Sequence, residues 1–404
     1  MNSKAGLRRG FTTGTCAQAA AKGASIMLTN GKVVDTVEVR TPGGERLKLK
    51  LVDQFVEKDF ARCAVIKDSG DDPDVTNGAK IYAEVRFCDK RGVTIKGGEG
   101  VGKVTKPGLA IGPGEWAINP IPRKFIIDEV SGYLPKDKGC EVTISVPGGE
   151  DIAKRTYNPK LGIVGGISII GTTGIVKPKS QDAYKASLAL ELDVLTARGH
   201  KEVVLVLGYV GEKYCKGTLG IPEDSIVKIG DHVGYMLLEC AKRDIKKITL
   251  VGHIGKMIKL ANGQFNTHCK FGDGRVDGMA RYAKACGADK DVISEILTKT
   301  TAEAVVDTLK KYALIGVFDR IKHDIVIKAK EFVNNTTDPS LRATESILST
   351  VIATASEARQ EAISKKGLLL PPSVTHGRDR NDNLSAPSVD IRCIILSLNG
   401  ELLA

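Results

Sequence analysis

Three threonines and a cysteine stand at the start of an alanine-rich segment, in the stretch GFTTGTCAQAAAKGA that begins at Gly10. The pattern predicts a helix that is capped by Thr12, Thr13 or Thr15 and runs to about Leu28. The first backbone N–H groups of such a helix, with hydroxyls around them, favour a bound anion. We therefore predict that these threonines bind carboxylates of a substrate.

A second Thr-Thr-Gly sequence occupies residues 172–174, again shortly before a predicted helix. Thr172 and Thr173 are accordingly predicted to bind carboxylates as well. Cys16 suggests different chemistry, because a position near a helix N-terminus lowers the pKa of a thiol and makes it nucleophilic. No histidine lies near it in the sequence, so we favour the alternative that Cys16 packs among the alanines.

Glycines end three apolar segments of the second half of the chain, which read KEVVLVLGYVG, IVKIGDHVG and KKITLVGHIGK. Ligands of open α/β sheets bind at the carboxyl ends of the strands, where glycine lets the backbone approach them. We predict a nucleoside-type cofactor at Gly208, Gly211, Gly230, Asp231 and Gly252, with Asp231 or Glu212 binding ribose hydroxyls. A purely structural role of these glycines is the alternative, since no GxGxxG sequence occurs at these strand ends.

His253 lies between two glycines at one of these strand ends and is a candidate base. The alternative is a histidine that only hydrogen bonds to backbone; His268 is a second candidate. Asp74, in DDPDVTNG, suits a metal, a base or, more often, an Asx turn. Glu99 lies in GGEGVGK, which lacks the strand–loop–helix context of a phosphate-binding loop.

The elements that would position these residues fall into two kinds of region. The first part alternates apolar and polar residues, which predicts a hairpin and further strands, at 33–52, 61–68, 79–87 and 140–149. This is an α+β domain, predicted to span residues 1–175.

A helix that starts at Ser180 opens a second region, in which three glycine-ended strands are each followed by a helix. This order predicts a Rossmann-like α/β domain with a mainly parallel sheet, over residues 176–320. Helices are predicted at 274–314 and 341–365, and a turn-rich loop at 370–388. Residues 321–404 form a helical extension plus a terminal strand, IRCIILSL, that either joins the sheet or stands apart.

Composition narrows the functional classes. No run of apolar residues is long enough to span a membrane and no signal peptide is evident, so we expect a cytoplasmic protein. Nine cysteines without a CxxC pair fit a reducing compartment and no zinc site. The net charge of +11 suits nucleic acid, a polyanionic small molecule or a solvated surface, but basic and aromatic residues are not interleaved.

Five blocks in one order make the chain similar to a known family. They are RRGFTTGTCAQAAAKGA, DDPDVTNGAKIYAEV, GGEGVGKVTKPGLAIGPGEWAINPIPRKFI, YNPKLGIVGGISIIGTTGIVKPKS and VGHIGKMIKLANGQFNTHC. Together they resemble the CbiD family, the cobalt-precorrin-5B C1-methyltransferases of anaerobic cobalamin (vitamin B12) biosynthesis. The resemblance extends from about residue 7 to about residue 315. One departure is Lys179, between Pro178 and Ser180, where the family more often has methionine.

The resemblance implies methyl transfer from S-adenosyl-L-methionine to C1 of a cobalt-bearing tetrapyrrole, giving cobalt-precorrin-6A. The cobalt comes with the substrate, so no protein metal site is expected, and the corrinoid is expected between the domains. The proton that the substrate loses could pass to His253, Asp74 or Glu99, or to no side chain. The substrate's carboxylates are expected to meet the cations of the family-like blocks, which are Arg8, Arg9, Lys103, Lys106, Arg123, Lys256 and Lys259.

Partners other than this polycarboxylate tetrapyrrole are less defined. A homodimer and contacts with other enzymes of the cobalamin pathway stay open, and no nucleic acid or membrane is expected. Two rival functions remain: a nucleotide-binding kinase or ligase, which would explain the glycines, and a basic nucleic-acid-binding protein, which would explain the charge.

Overall fold

The computed structural model describes residues 6–135, 138–337 and 389–404. The chain divides into two compact units, Met1–Gly199 and His200–Ala404. The helix predicted at 341–365 and the loop predicted at 370–388 lie outside the described residues. The sequence-based division at 175 and 320 stays a prediction.

The first unit combines helices of 4 to 18 residues with several β-sheets. Its helices are α1 Thr13–Asn30, α2 Pro120–Ser131, α3 Gly149–Ala153, α4 Asn158–Leu161 and α5 Gln181–Ala197. Its strands are β1 Gly10–Phe11, β2 Thr36–Arg40, β3 Arg46–Lys50, β4 Val52–Val56, β5 Phe60–Ile66, β6 Lys80–Cys88, β7 Gly92–Gly97, β8 Lys103–Val104, β9 Gly139–Ser145, β10 Ile163–Val164 and β11 Ile175–Val176. The predicted hairpin is confirmed by the antiparallel pairing of β2 with β3.

Helix α1 packs on a five-stranded sheet of order β4-β5-β6-β9-β7, in which only β7 and β9 run parallel. The helix is buried along most of its length, which explains its composition. Alanine and glycine let the helix backbone approach the strands closely: a Cβ added to Gly23 would lie 2.4 Å from Leu51 Cδ1. The alanine-rich run therefore serves close packing of α1 on the sheet.

The second unit contains a four-stranded sheet of order β13-β12-β14-β15, and every neighbouring pair is parallel. Its strands are β12 Glu202–Val206, β13 Ile226–Lys228, β14 Lys247–His253 and β15 Asp390–Leu396. Its helices are α6 Tyr209–Gly217, α7 Val233–Lys242, α8 Ile254–Ala261, α9 Arg275–Ala285, α10 Lys290–Leu297, α11 Ala302–Lys311 and α12 Gly316–Thr337. The terminal strand thus joins the sheet beside β14, where the sequence left both possibilities open.

The path of the chain through this sheet creates a switch point. From β12 the chain crosses through α6 to β13 on one side, and then through α7 to β14 on the other side. The connections that leave the carboxyl ends of β12 and β14 therefore diverge to opposite sides. Open parallel sheets bind ligands at such a crevice, so this edge of the sheet is where a site is expected.

Glycines of the GGEGVGK segment have a structural role that a substitution can test. Gly100 has φ +69°, and a Cβ there would lie 1.9 Å from the carbonyl oxygen of Val146. Gly31, which ends α1, has a similar φ of +66° but open space around it. We expect Gly31→Ala to lower the free energy of unfolding by about 1–2 kcal/mol from the left-handed backbone alone, and Gly100→Ala to lower it by clearly more. Equal losses in urea unfolding would contradict the steric argument.

Candidate functional site

The start of α1 is closed by the chain's own groups. Thr12 is the capping residue, and its Oγ1 accepts a hydrogen bond from the backbone N–H of Thr15 at 3.2 Å. The backbone N–H of Gly14 donates to the carbonyl oxygen of Ile170 at 2.9 Å. The N–H groups of Gly14 and Thr15, two of those that could bind an anion at this helix end, are therefore occupied within the protein.

The two threonine-rich segments form a single structural feature. The hydroxyl of Thr15 donates to the carbonyl oxygen of Gly174 at 2.8 Å, and Thr13 Oγ1 accepts from the backbone N–H of Ile170 at 2.9 Å. A Cβ on Gly171 would lie 2.2 Å from Thr12 Oγ1. The second Thr-Thr-Gly sequence thus covers the first, and only Thr172 and Thr173 keep exposed side chains.

Cys16 lies in the core of the first unit. It is fully buried, and this burial raises the pKa of its thiol to about 12. A thiol with such a pKa is protonated at neutral pH and is not a nucleophile. The geometry agrees with the packing role that the sequence favoured.

Asp74 forms a buried ion pair that the sequence did not reveal. Its Oδ2 lies 2.6 Å from Nζ of Lys67, whose side chain is 2% exposed. Its Oδ1 accepts from the backbone N–H of Thr76 at 2.8 Å, which is the predicted Asx turn. Although burial acts to raise it, the hydrogen bonds from Lys67 and Thr76 hold the pKa of Asp74 below its usual range. A carboxylate held in this way is a weak base.

The carboxyl edge of the parallel sheet brings together the residues predicted to bind the cofactor. Gly208 lies at the N-cap of α6, and a Cβ there would meet no atom within 4 Å. At Gly211 a Cβ would lie 2.9 Å from the carbonyl oxygen of Val251, and at Gly252 it would lie 2.9 Å from Met257 Sδ. Gly230 has φ +59°. Gly208 is thus the one of these four glycines that packing and backbone conformation leave unexplained, since its φ of 169° suits any residue.

Asp231, next to Gly230, is held by two side chains. Its Oδ1 lies 3.0 Å from Lys256 Nζ and accepts a 2.7 Å hydrogen bond from the hydroxyl of Thr267. Lys256 also donates to the carbonyl oxygen of Leu207, at the end of β12, at 2.8 Å. Burial acts to raise the pKa of Asp231, but the hydrogen bonds from Thr267 and Lys256 lower it overall, so the carboxylate is ionised at neutral pH.

His253 caps helix α8. Its Nδ1 accepts from the backbone N–H of Gly255 at 3.2 Å, and its Nε2 lies 3.2 Å from Oε2 of Glu303. This arrangement requires the tautomer in which Nε2 carries the proton and donates to Glu303. The lone pair that a base would use therefore belongs to the helix cap.

The predicted substrate cations differ in environment. Arg8 binds both carboxylate oxygens of Asp68 and Arg9 binds Glu45, and these pairs are exposed. The ammonium of Lys103 lies 4.4 Å from the centroid of the Trp116 ring, and Lys106 packs against Gly162. Arg123 is half-buried, with Nη1 3.5 Å from the carbonyl oxygen of Ile95, and Glu99 is exposed.

Lys259 stands apart from these cations because it is 4% exposed and donates to the carbonyl oxygens of Thr267 and Gly272. Sequence reasoning missed Lys67, which lies seven residues before Asp74. It also missed Thr267 and Glu303, whose partners lie 36 and 50 residues away in the chain. No group of side chains suited to a metal ion occurs among residues 6–135, 138–337 and 389–404. Within the same residues, no helix has the length and apolar character needed to cross a membrane.

Comparisons with known proteins agree with the motif blocks. Residues 1–178 match the family described as CbiD, and residues 266–344 match the CbiD C-terminal domain. The chain is similar to cobalt-precorrin-5B C(1)-methyltransferase of Thermoanaerobacter sp. (strain X514), with 46% identity over 329 residues, 81% of this chain and 90% of that protein. The enzyme of the same name from Methanocaldococcus jannaschii is 43% identical over 326 residues, 80% of this chain and 90% of that protein.

One solved structure is also similar: the cobalamin biosynthesis protein CbiD from Archaeoglobus fulgidus. It is 32% identical, with 67% of this chain and 85% of that chain covered and a TM-score of 0.35.

The capping geometry of His253 predicts the effect of two substitutions. Asparagine is also a good N-cap, whereas alanine is not. We expect His253→Ala to lower the free energy of unfolding by about 1 kcal/mol, and His253→Asn to recover most of that loss. The catalytic activity of the His253→Asn variant should stay within a few-fold of wild type if the lone pair serves only the cap. A loss of about 100-fold or more with Asn, at unchanged stability, would instead identify a base.

The ion pair of Asp74 predicts a pH-dependent loss of stability. Asp74→Asn leaves the buried ammonium of Lys67 without its counter-ion, and we expect a loss of about 3–5 kcal/mol near pH 7. The pKa of Asp74 is lowered by folding, so its contribution is present above the unfolded value of about 4 and is lost as the pH falls below it. The free energies of unfolding of wild type and Asp74→Asn should therefore become similar at low pH. Urea unfolding of the two proteins at pH 7 and at low pH measures this difference. Asp59→Asn, at an exposed position, is the control. A difference in free energy of unfolding between wild type and Asp74→Asn that does not change with pH would contradict the role of the Asp74–Lys67 ion pair.

Proposed function

The chain belongs to the CbiD family, and from this premise we propose that it methylates C1 of cobalt-precorrin-5B to give cobalt-precorrin-6A. The observation that carries this proposal is the 46% identity to an enzyme of that name, over nearly the whole length of that enzyme. The chain is therefore a methyltransferase of cobalamin biosynthesis, and its substrate is a corrinoid precursor. The cobalt ion is part of the substrate.

We infer that the methyl donor is S-adenosyl-L-methionine. When bound, this cofactor supplies an activated methyl group on a sulfonium, so the main task of the protein is to align donor and acceptor. The described residues suit it: an unobstructed glycine at Gly208, an ionised Asp231 and backbone N–H groups at the start of α6. Gly208 and the N–H groups allow a close approach of the cofactor to the backbone, and Asp231 can accept hydrogen bonds from its ribose hydroxyls.

The order of elements in the second unit is similar to that of Rossmann-like folds that bind nucleoside cofactors. A glycine follows the first strand, a helix follows the glycine, and an acidic residue follows the next strand, about 20 residues after the glycine. In this chain these are Gly208, α6 and Asp231. We propose that the cofactor binds at the switch point between β12 and β14.

The substrate's carboxylates are proposed to meet cations that can exchange partners. The pairs Arg8–Asp68 and Arg9–Glu45 are exposed, and exposed ion pairs contribute little free energy. Exchanging the carboxylate of Asp68 or Glu45 for a substrate carboxylate as the partner of the arginine therefore costs little free energy. The contacts of Lys256 and Lys259 with backbone carbonyls make these two lysines weaker candidates for binding substrate.

The three proposed proton acceptors differ in how available they are. The lone pair of His253 is used in a helix cap, and Asp74 is paired with Lys67. Glu99 has an exposed side chain, so its carboxylate is the most accessible of the three. A reaction in which the proton leaves to water requires none of them.

Binding and product mass together test the function. We expect calorimetry to show one binding site for S-adenosylhomocysteine. We expect anaerobic incubation with cobalt-precorrin-5B and S-adenosyl-L-methionine to raise the mass of the tetrapyrrole by one CH2, because a methyl group is gained and a proton is lost. ATP is the control ligand, because the rival kinase or ligase function predicts that ATP binds instead. Absence of both binding and mass gain would overturn the proposal.

A further inference from the structure

Asp231 presents its two carboxylate oxygens to different surroundings. We propose that Thr267 and Lys256 are positioning residues that bind Oδ1 and thereby present Oδ2 to the ribose hydroxyls of the cofactor. This inference rests on the proposed function, because it assumes a cofactor with a ribose at this edge of the sheet.

The hydrogen bonds to Asp231 all select the same oxygen. The hydroxyl of Thr267 donates to Oδ1 at 2.7 Å, and Nζ of Lys256 lies 3.0 Å from Oδ1. Within the part of the chain that the structure describes, no hydrogen bond is donated to Oδ2. The Asp231 side chain is 29% exposed, so its carboxylate is within reach of a ligand.

The two positioning side chains are themselves held in place. Lys256 is fixed by the carbonyl oxygen of Leu207. Thr267 is 4% exposed, and its backbone N–H donates to the carbonyl oxygen of Asp231 at 3.2 Å. The buried ammonium of Lys259 holds the carbonyl oxygen of Thr267 at 3.1 Å. This explains why a buried lysine follows Lys256 on α8: it anchors the loop that carries Thr267.

This arrangement favours binding in two ways. The carboxylate is already ordered before the ligand binds. The loss of side-chain entropy therefore occurs on folding and does not weaken binding. An ionised acceptor also forms stronger hydrogen bonds with hydroxyl donors than a neutral one does. Two adjacent hydroxyls of a ribose can both donate to one exposed carboxylate oxygen, which accepts through two lone pairs.

A nearly isosteric pair of variants tests the role of Thr267. Thr267→Val removes the hydroxyl that binds Oδ1, and Thr267→Ser keeps it. By calorimetry we expect Thr267→Val to raise the Kd of S-adenosylhomocysteine about tenfold, as for loss of a hydrogen bond to a charged group, while Thr267→Ser stays close to wild type. An analogue without the 2′- and 3′-hydroxyls should bind wild type and Thr267→Val equally. Lys256→Met, with the same two ligands, gives a second test should Thr267→Val fail to fold.

The outcomes separate this inference from the proposed function. Wild-type protein that binds S-adenosylhomocysteine, together with a Thr267→Val variant of unchanged affinity, overturns the inference alone. An equal loss of affinity for both ligands also overturns it, because the effect would then not pass through the ribose. Wild-type protein that fails to bind S-adenosylhomocysteine overturns the cofactor assignment and this inference with it.

Discussion

Buried polar groups must find partners inside the protein, and this constraint shapes both regions where a ligand was predicted. At the start of α1, the hydroxyls of Thr13 and Thr15 are bonded to the 168–174 segment, so little hydrogen-bonding capacity is left for an anion. At the edge of the parallel sheet, the same requirement is met on one oxygen of Asp231 only. Polar groups that have no hydrogen-bond partner within the protein are therefore the better candidates for binding a ligand.

The lysines show the same partition. Lys67 and Lys259 are buried, and each ammonium group is bonded to two oxygen atoms of the protein. Removing either lysine would leave buried acceptors or a carboxylate unpaired. The exposed arginine pairs near the N-terminus have no such obligation. The net charge of +11 therefore overstates the charge available to a polyanionic substrate, because part of it holds the fold together.

Periodicity and turn residues predicted most of the local structure. Predictions that depend only on neighbouring residues agree with the structure. They are the hairpin at 33–52, the helix cap at Ser180 and the glycine-ended strands. Pairing of the terminal strand with β14 was left open, since strand order is decided by distant contacts. The sequence does not predict that the two threonine-rich segments bond to each other, because residues near 12 and near 172 are far apart in the chain. Thr267 escaped notice for the same reason, since its partner Asp231 lies on another loop.

The glycines at the strand ends look alike in the sequence but have different surroundings in the structure. From the sequence, Gly208, Gly211 and Gly252 are equivalent candidates for a close approach to a ligand. In the structure, a side chain at Gly211 or Gly252 would collide with the protein itself, which accounts for those glycines without any ligand. Gly208 has room for a side chain and an extended backbone that any residue adopts. Gly208 follows Leu207, and the ammonium group of Lys256 contacts both the carbonyl oxygen of Leu207 and Asp231. An unexplained glycine at the same edge of the sheet as a partly exposed carboxylate suits a ligand that contacts both the backbone and Asp231.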